Sequence, residues 1–326
     1  RSGAVQGVQE PRDQGEILRQ YTKLDHRLEH QDNPGLMVSR MLQVAMSEPK
    51  GPVYLTIPQE TAMLPLPGTT RFPTRDQLGV ARPASPDPAD ARQIAQWLVK
   101  ADNPSIITAK LGRNPQAVEE LVRLAELLAV PVTDRGRLDC LNFPSNHPLY
   151  NVGPPPNEAD VLLIMEAPVP FTGPEEAPKP ETKIAWVDPD PVQSRYKTME
   201  FRADMWLPVN SASAARAIYE AATGMLTTSD MSRIEDRRAR LEARRHELAD
   251  TAERQAQEAG KRTPLHPRWV AYQLGKVLDP GAILLDDALS NSSYVQAYHG
   301  REQTGTYFKS GGSSGGWGSG AAFGAK

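Results

Sequence analysis

The chain has 326 residues, 39% of them apolar, and a formal net charge of −3 at neutral pH. That length predicts two to three domains, and that charge gives no general attraction to nucleic acid or to an anionic membrane. The one cysteine, Cys140, excludes an intramolecular disulfide framework and suits a reducing cytoplasm, and no apolar run approaches the roughly 20 residues that span a bilayer.

Residues 1–33 are polar and irregular, with a short helix expected around Arg12–Arg19. From Pro34 to Glu48 the apolar positions Leu36, Met37, Met41, Val44 and Ala45 follow helical spacing. The run from Pro52 to Pro58 reads as a short strand bounded by prolines. Residues 62–90 hold a cluster of the chain's 30 prolines and read as an extended connection.

From about 88 to 225 strands and helices alternate. Helices are expected at Ala89–Lys100, Gln116–Ala129 and Ala212–Thr223. Strands are expected at Ser105–Ala109, Val130–Thr133, Asp160–Met165, Lys183–Val187 and Trp206–Val209. The pattern predicts a six-stranded, mostly parallel α/β sheet with helices on both faces, and Ile106, Leu162 and Ile184 on central strands. Gly112 and Gly136 follow strands, where such sheets bind ligands, but no G-x-G-x-x-G is present. Asp188 and Asp190, with Pro189 and Pro191, read as a turn closing a strand rather than a metal pair. Cys140 lacks a local activating motif, and the six histidines form no spaced ligand set.

Residues 231–262 are almost wholly charged, with Arg and Glu at helical spacing, as in Glu242 and Arg245. They predict a solvated helix bridging two domains; interleaved acids disfavour a nucleic-acid stripe. An amphipathic helix, Pro267–Leu278, then leads into an apolar strand at Ala282–Asp287, the start of a third α/β unit. Gly311 to Gly320 is dense in glycine and serine, which lets backbone approach a ligand closely. A flexible linker has similar composition, but Trp317 and the helix seed Ala321-Ala322-Phe323 favour a loop that holds a diphosphate at a helix N-terminus.

Three separated pieces resemble one family. Gly51 to Pro58 looks like the last strand of the pyrimidine-binding domain in thiamine-diphosphate enzymes of the acetolactate synthase and benzoylformate decarboxylase group. His147-Pro148-Leu149, Asp160 to Leu163 and Ile184 to Pro191 are similar to their central domain, and Gly311 to Ala325 to the glycine-rich entry of their diphosphate-binding domain. The resemblance implies parallel-sheet, three-layer α/β domains: the end of a pyrimidine-binding domain at 1–62, a linker at 63–88, a complete central domain at 89–228, a charged helical connection at 229–263, and the start of a diphosphate-binding domain at 264–326.

It also implies a cytoplasmic homodimer or homotetramer that uses thiamine diphosphate and Mg2+ on a small 2-oxo acid, as carboligase or non-oxidative decarboxylase. Ala288, Leu289 and Ser290 fall where the family meets the diphosphate, and Ser313 and Gly315 where it touches the aminopyrimidine. Gly315 departs from the pattern, which has a bulky apolar residue there to bend the cofactor. Gln9 matches a glutamine near the active site; as plain sequence it also reads as an exposed loop residue. FAD is disfavoured, because Ala109 to Arg113 lacks the small residues of flavin-binding relatives. The chain opens at Arg1 without methionine and is expected to be a piece cut at both ends. The family's glutamate and its Gly-Asp-Gly metal segment would lie outside it, so it is not expected to be a complete catalyst. The alternative is a non-catalytic α/β binding or regulatory homologue that has lost the cofactor, and Gly315 supports it.

Overall fold

The computed structural model describes residues 12–66, 68–136, 140–193, 200–310 and 315–325. The chain divides into two compact units, 1–83 and 84–326.

In the first unit, α1 (Gln14–Leu18) starts on the side chain of Asp13, which accepts from the amides of Gly15 and Glu16. Helix α2 (Pro34–Met46) begins with Pro34 in its first turn behind an Asn33 cap, the arrangement that leaves no amide stranded. Its last turn is tied down by Lys23, whose ammonium donates to the carbonyls of Val44 and Ser47. Strand β2 (Val53–Thr56) lies where the apolar run predicts it and pairs in parallel with β1 (Leu24–Arg27); a short α3 (Gln59–Ala62) follows. Strand β1 has the sequence Leu-Asp-His-Arg, with no apolar alternation to announce it.

The second unit is built on a parallel sheet. It contains β3 (Pro104–Thr108), β4 (Val132–Asp134), β5 (Val161–Met165), β6 (Lys183–Asp188) and β7 (Met205–Pro208), in the order β4-β3-β5-β6-β7. Ile106, Leu162 and Ile184 sit on the three inner strands, as expected. Two expectations need correction. The described residues give five strands rather than six. The helices are also not shared between the faces. Helices α4 (Pro88–Lys100), α5 (Pro115–Leu128) and α6 (Ser211–Thr223) pack into one core with Ile106, Leu163, Met165, Ala185 and Val187.

The alternate residues Ile107, Leu162, Ile164, Ile184 and Trp186 face the other way and are covered by Ala109, Phe201 and Ala203. That third layer is irregular because the connections after β5 and β6 carry Pro168, Pro170, Pro174, Pro178, Pro180, Pro189 and Pro191, each of which removes an amide and disfavours helix before it. Trp186 stacks on Trp206 across β6 and β7, with ring centroids 5.0 Å apart.

Helix α7 (Thr228–Gly260) opens with a capping box between Thr227 and Asp230. The Lys100 ammonium on Asp230, 2.9 Å away, holds that carboxyl well below the usual range. The helix is largely exposed, as expected, but also buries Ile234, Arg237 and Leu241. The Arg237 guanidinium donates to the carbonyls of Ala101 (2.7 Å), Leu128 (2.5 Å) and Ala129 (3.1 Å), so it satisfies the end of α5 that a helix otherwise leaves unpaired. Beyond it lie α8 (Pro267–Val277), β8 (Leu284–Asp286), α9 (Ser292–Tyr298), β9 (Tyr307–Lys309) and α10 (Trp317–Ala325). Strands β8 and β9 are parallel, the predicted start of a further α/β unit.

Candidate functional site

Strand β8 ends in Asp286, which is buried and organises the turn after it. Its Oδ1 accepts from the Ala288 amide (3.0 Å), and its Oδ2 accepts from the Ser292 hydroxyl (2.7 Å) and the Tyr307 hydroxyl (2.9 Å). Lys309, at the end of β9, donates to Ser292 Oγ at 2.6 Å. The amides of Leu289, Ser290 and Asn291 donate to no group among the described residues. Asp287 reaches the other way and accepts from the Gly318 amide at 3.0 Å, which holds the first turn of α10 against this turn.

The expected cofactor-binding residues thus fall in one neighbourhood where they are described. Ala288 is half-buried, and Leu289, Ser290 and Gly315 are exposed. A side chain at 315 would meet nothing within 4 Å. Gln9 and Ser313 lie outside the described residues. A turn with unused amides beside a cationic side chain is chemically suited to a phosphate group, so the amides of 289–291 and Lys309 fit a diphosphate, while the Ala288 amide is held by Asp286. No group of three His, Cys, Asp or Glu side chains that could hold a metal is present among the described residues.

A cavity of about 960 Å3 opens beside this turn; Asp134, Arg245, Lys276, Ser290, Arg301 and Lys309 are among its lining residues. Its walls are cross-braced. Cys140 bridges Phe308 as an isolated β-pair, and the Ser145 amide and hydroxyl both donate to the Arg301 carbonyl (2.9 and 2.8 Å). Burial pushes the Asp134 carboxyl up to about 6, opposed by its bonds from Gly136 and Asn142.

His299 stacks on Tyr307 (centroids 4.7 Å apart) and accepts from the Arg301 amide through Nδ1 (2.9 Å). Burial, and then the charge of Arg301, pull its imidazole down to about 4. Its folded value lies below the ordinary 6.5, so the stability it contributes is complete above pH 6.5 and is lost as pH falls through 4. At about 1.4 kcal/mol per unit this is roughly 3 kcal/mol. Replacing His299 with Phe should remove that acid sensitivity. The check is the difference in unfolding free energy between wild type and variant at pH 7.5 and pH 4. Asp134 and Asp188, both raised to about 6, act in the opposite sense in wild type and variant alike and cancel in that difference.

Gly136 lines the cavity, as expected of a glycine after a strand, whereas Gly112 is buried away from it. A side chain on Gly112 would overlap the Leu141 carbonyl, and one on Gly136 would overlap Asn142 and the Ala109 carbonyl. Both glycines admit the 140–142 segment against the strand ends. Asp188 does close a turn, accepting from the Asp190 amide at 2.8 Å. Sequence reading missed the cations of the cavity: an arginine in a polar loop carries no local sign that its guanidinium is buried.

No family model matches the chain. Benzoylformate decarboxylase of Pseudomonas aeruginosa is 26% identical over 167 residues, which cover 48% of this chain and 31% of that protein. A Mycobacterium smegmatis protein assigned to the thiamin diphosphate-dependent enzymes superposes with a TM-score of 0.71 at 19% identity, over 96% of this chain and 58% of that one. Benzoylformate decarboxylase of Polynucleobacter necessarius gives 0.69 at 19% identity, over 93% and 54%. This chain has the fold of the thiamine-diphosphate-dependent enzymes. A third such structure, the 4-hydroxybenzoylformate decarboxylase of Rhodococcus jostii RHA1, gives 0.65 at 17% identity over 92% and 54%. The chain spans 54–58% of the thiamine-diphosphate enzyme structures it matches. No described helix is long and apolar enough to cross a membrane.

Proposed function

We propose that this chain works in a thiamine-diphosphate- and Mg2+-dependent enzyme acting on a small 2-oxo acid, as a cytoplasmic homodimer or homotetramer. Non-oxidative decarboxylation is the preferred reaction, because the named relatives are decarboxylases; acetolactate-type carboligation uses the same cofactor. The observation that carries the reading is the turn after β8, with its free amides at 289–291 and the glycine-rich start of α10 held on Asp287. On this reading the chain divides at 1–62, 63–88, 89–228, 229–263 and 264–326.

Thiamine diphosphate, when bound, supplies an electron sink for breaking the bond between a 2-oxo acid's carbonyl carbon and its carboxylate. This chain's part is to seat and orient that group. Leu289 and Ser290 would offer backbone amides to the diphosphate, Ala288 would steady the turn through its bond to Asp286, Lys309 would place a cation beside it, and Gly315 would border the aminopyrimidine.

The test is release of carbon dioxide from benzoylformate, pyruvate and related 2-oxo acids by the complete gene product supplied with both cofactors. Turnover of at least one supports the reading; no turnover of any, with cofactor bound, favours the non-catalytic alternative. Gly315 is that alternative's main support, since it offers no side chain to bend the cofactor. The open space at 315 has room for a larger residue. Gly315→Leu is therefore expected to tighten thiamine-diphosphate binding several-fold, read by titration. Unchanged affinity would remove residue 315 from the site.

A further inference from the structure

Asp286 is a buried carboxylate, and the turn after it is oriented by what that carboxylate holds. Oδ1 accepts from the Ala288 amide, and Oδ2 accepts from the hydroxyls of Ser292 and Tyr307. Ser292 Oγ in turn accepts from the Lys309 ammonium. One carboxylate thus ties together the turn, the first residue of α9 and the cation beside them. A buried carboxylate settles where its donors are, so the donor least able to move sets the orientation of the rest.

Tyr307 is that donor. It lies on β9, paired with Leu284 of β8, and is 3% exposed. Its ring stacks on His299 with an angle of 16° between the planes, and His299 is itself fixed by the Arg301 amide on its Nδ1. A clamped ring delivers its hydroxyl to one place. Burial, and then the charge of Asp286, hold that hydroxyl well above the usual phenol range, so it stays protonated and donates. Ser292, by contrast, opens a helix of only 7 residues, and Ala288 belongs to the turn being held.

We propose that Tyr307 is a positioning residue of the diphosphate seat, acting through Asp286. Its hydroxyl fixes the carboxylate in the orientation that keeps the Ala288 amide engaged, leaves the amides of 289–291 free, and through Ser292 sets the Lys309 ammonium beside them. The role rests on the reading of that turn as a diphosphate seat. Supporting bonds of this kind, on rigid strands, are what hold a binding constellation in its productive geometry.

The test is Tyr307→Phe in the complete gene product. Phenylalanine keeps the ring, and with it the contact to His299, and removes only the hydroxyl. Without cofactor, hydrogen exchange should quicken at 288–292 and stay unchanged over the central sheet. With Mg2+, thiamine diphosphate should bind about tenfold more weakly by titration, the cost of one orienting hydrogen bond. Carbon dioxide release at saturating cofactor should stay within about twofold of wild type, since the hydroxyl orients the seat and not the reacting carbon. Ser292→Ala, which takes the other hydroxyl from the same carboxylate oxygen, should weaken binding likewise and carries the test if Tyr307→Phe does not fold. A Tyr307→Phe protein that melts earlier but binds the cofactor as tightly as wild type would make Tyr307 structural. That result would overturn the proposal and leave the cofactor reading standing, as would unchanged exchange at 288–292. No saturable binding by wild type would overturn the reading of the turn and this role with it.

Discussion

Arg237→Met is expected to destabilise the 84–326 unit by about 3–5 kcal/mol, since bonds from a charged donor contribute about 1.5–3 kcal/mol each and the abandoned acceptors stay buried. Three acceptors lose their donor at once, the carbonyls of Ala101, Leu128 and Ala129, and all three residues are buried. Methionine fills similar volume without donating, so the loss reports hydrogen bonds rather than a cavity. Burial lowers the Arg237 guanidinium only to about 10, so at neutral pH it is charged and the bonds are charge-assisted. Lysine, with one nitrogen, cannot span three carbonyls in the plane of a guanidinium, and Arg237→Lys should recover less than half of the loss. Urea midpoints at constant slope measure it. A loss under about 1 kcal/mol would mean that solvent reaches these carbonyls.

Gly275→Ala is the second large effect, about 2–4 kcal/mol. Gly275 lies on α8, and a side chain there would overlap the backbone carbonyl oxygen of Tyr298 at the end of α9. Backbone cannot rotate away as a side-chain tip can, so the two helices must separate. Separation would also disturb the cavity wall, which Gly275, Tyr298 and Arg301 share. Hydrogen exchange over 267–309 should therefore accelerate in the variant while the five-stranded sheet keeps its protection. Gly320→Ala, whose side chain meets nothing within 4 Å, is the control. It should be neutral or raise stability by up to about 1 kcal/mol through helix propensity. Equal stability of the two variants would contradict the packing described for α8.

Much of the central sheet was legible because its strands are buried on both faces and read as continuous apolar runs, such as Leu162-Leu163-Ile164. The long helix was legible from its charge spacing, and β1 was not, because Leu24–Arg27 is paired by backbone alone and its side chains do not alternate. The one-sided placement of helices was written in the prolines between Pro168 and Pro191, but composition does not say which face a coil will cover. The candidate site divides the same way. Residues 288–290 were proposed from resemblance to a known order of pieces, and the glycine-rich segment from its own composition. Arg237 and Arg301 were not found, because what buries them lies far off in sequence: Arg237 bonds carbonyls more than 100 residues away, and Arg301 is fixed by Ser145. Gly112 misled for the same reason, since the backbone that crowds it comes from another segment.

The proposal that these residues seat thiamine diphosphate is tested most directly by isothermal titration of the complete gene product with the cofactor, with and without Mg2+. The account predicts saturable binding that requires the metal and that Gly315→Leu tightens. No binding under either condition, or binding indifferent to both the metal and residue 315, would contradict it.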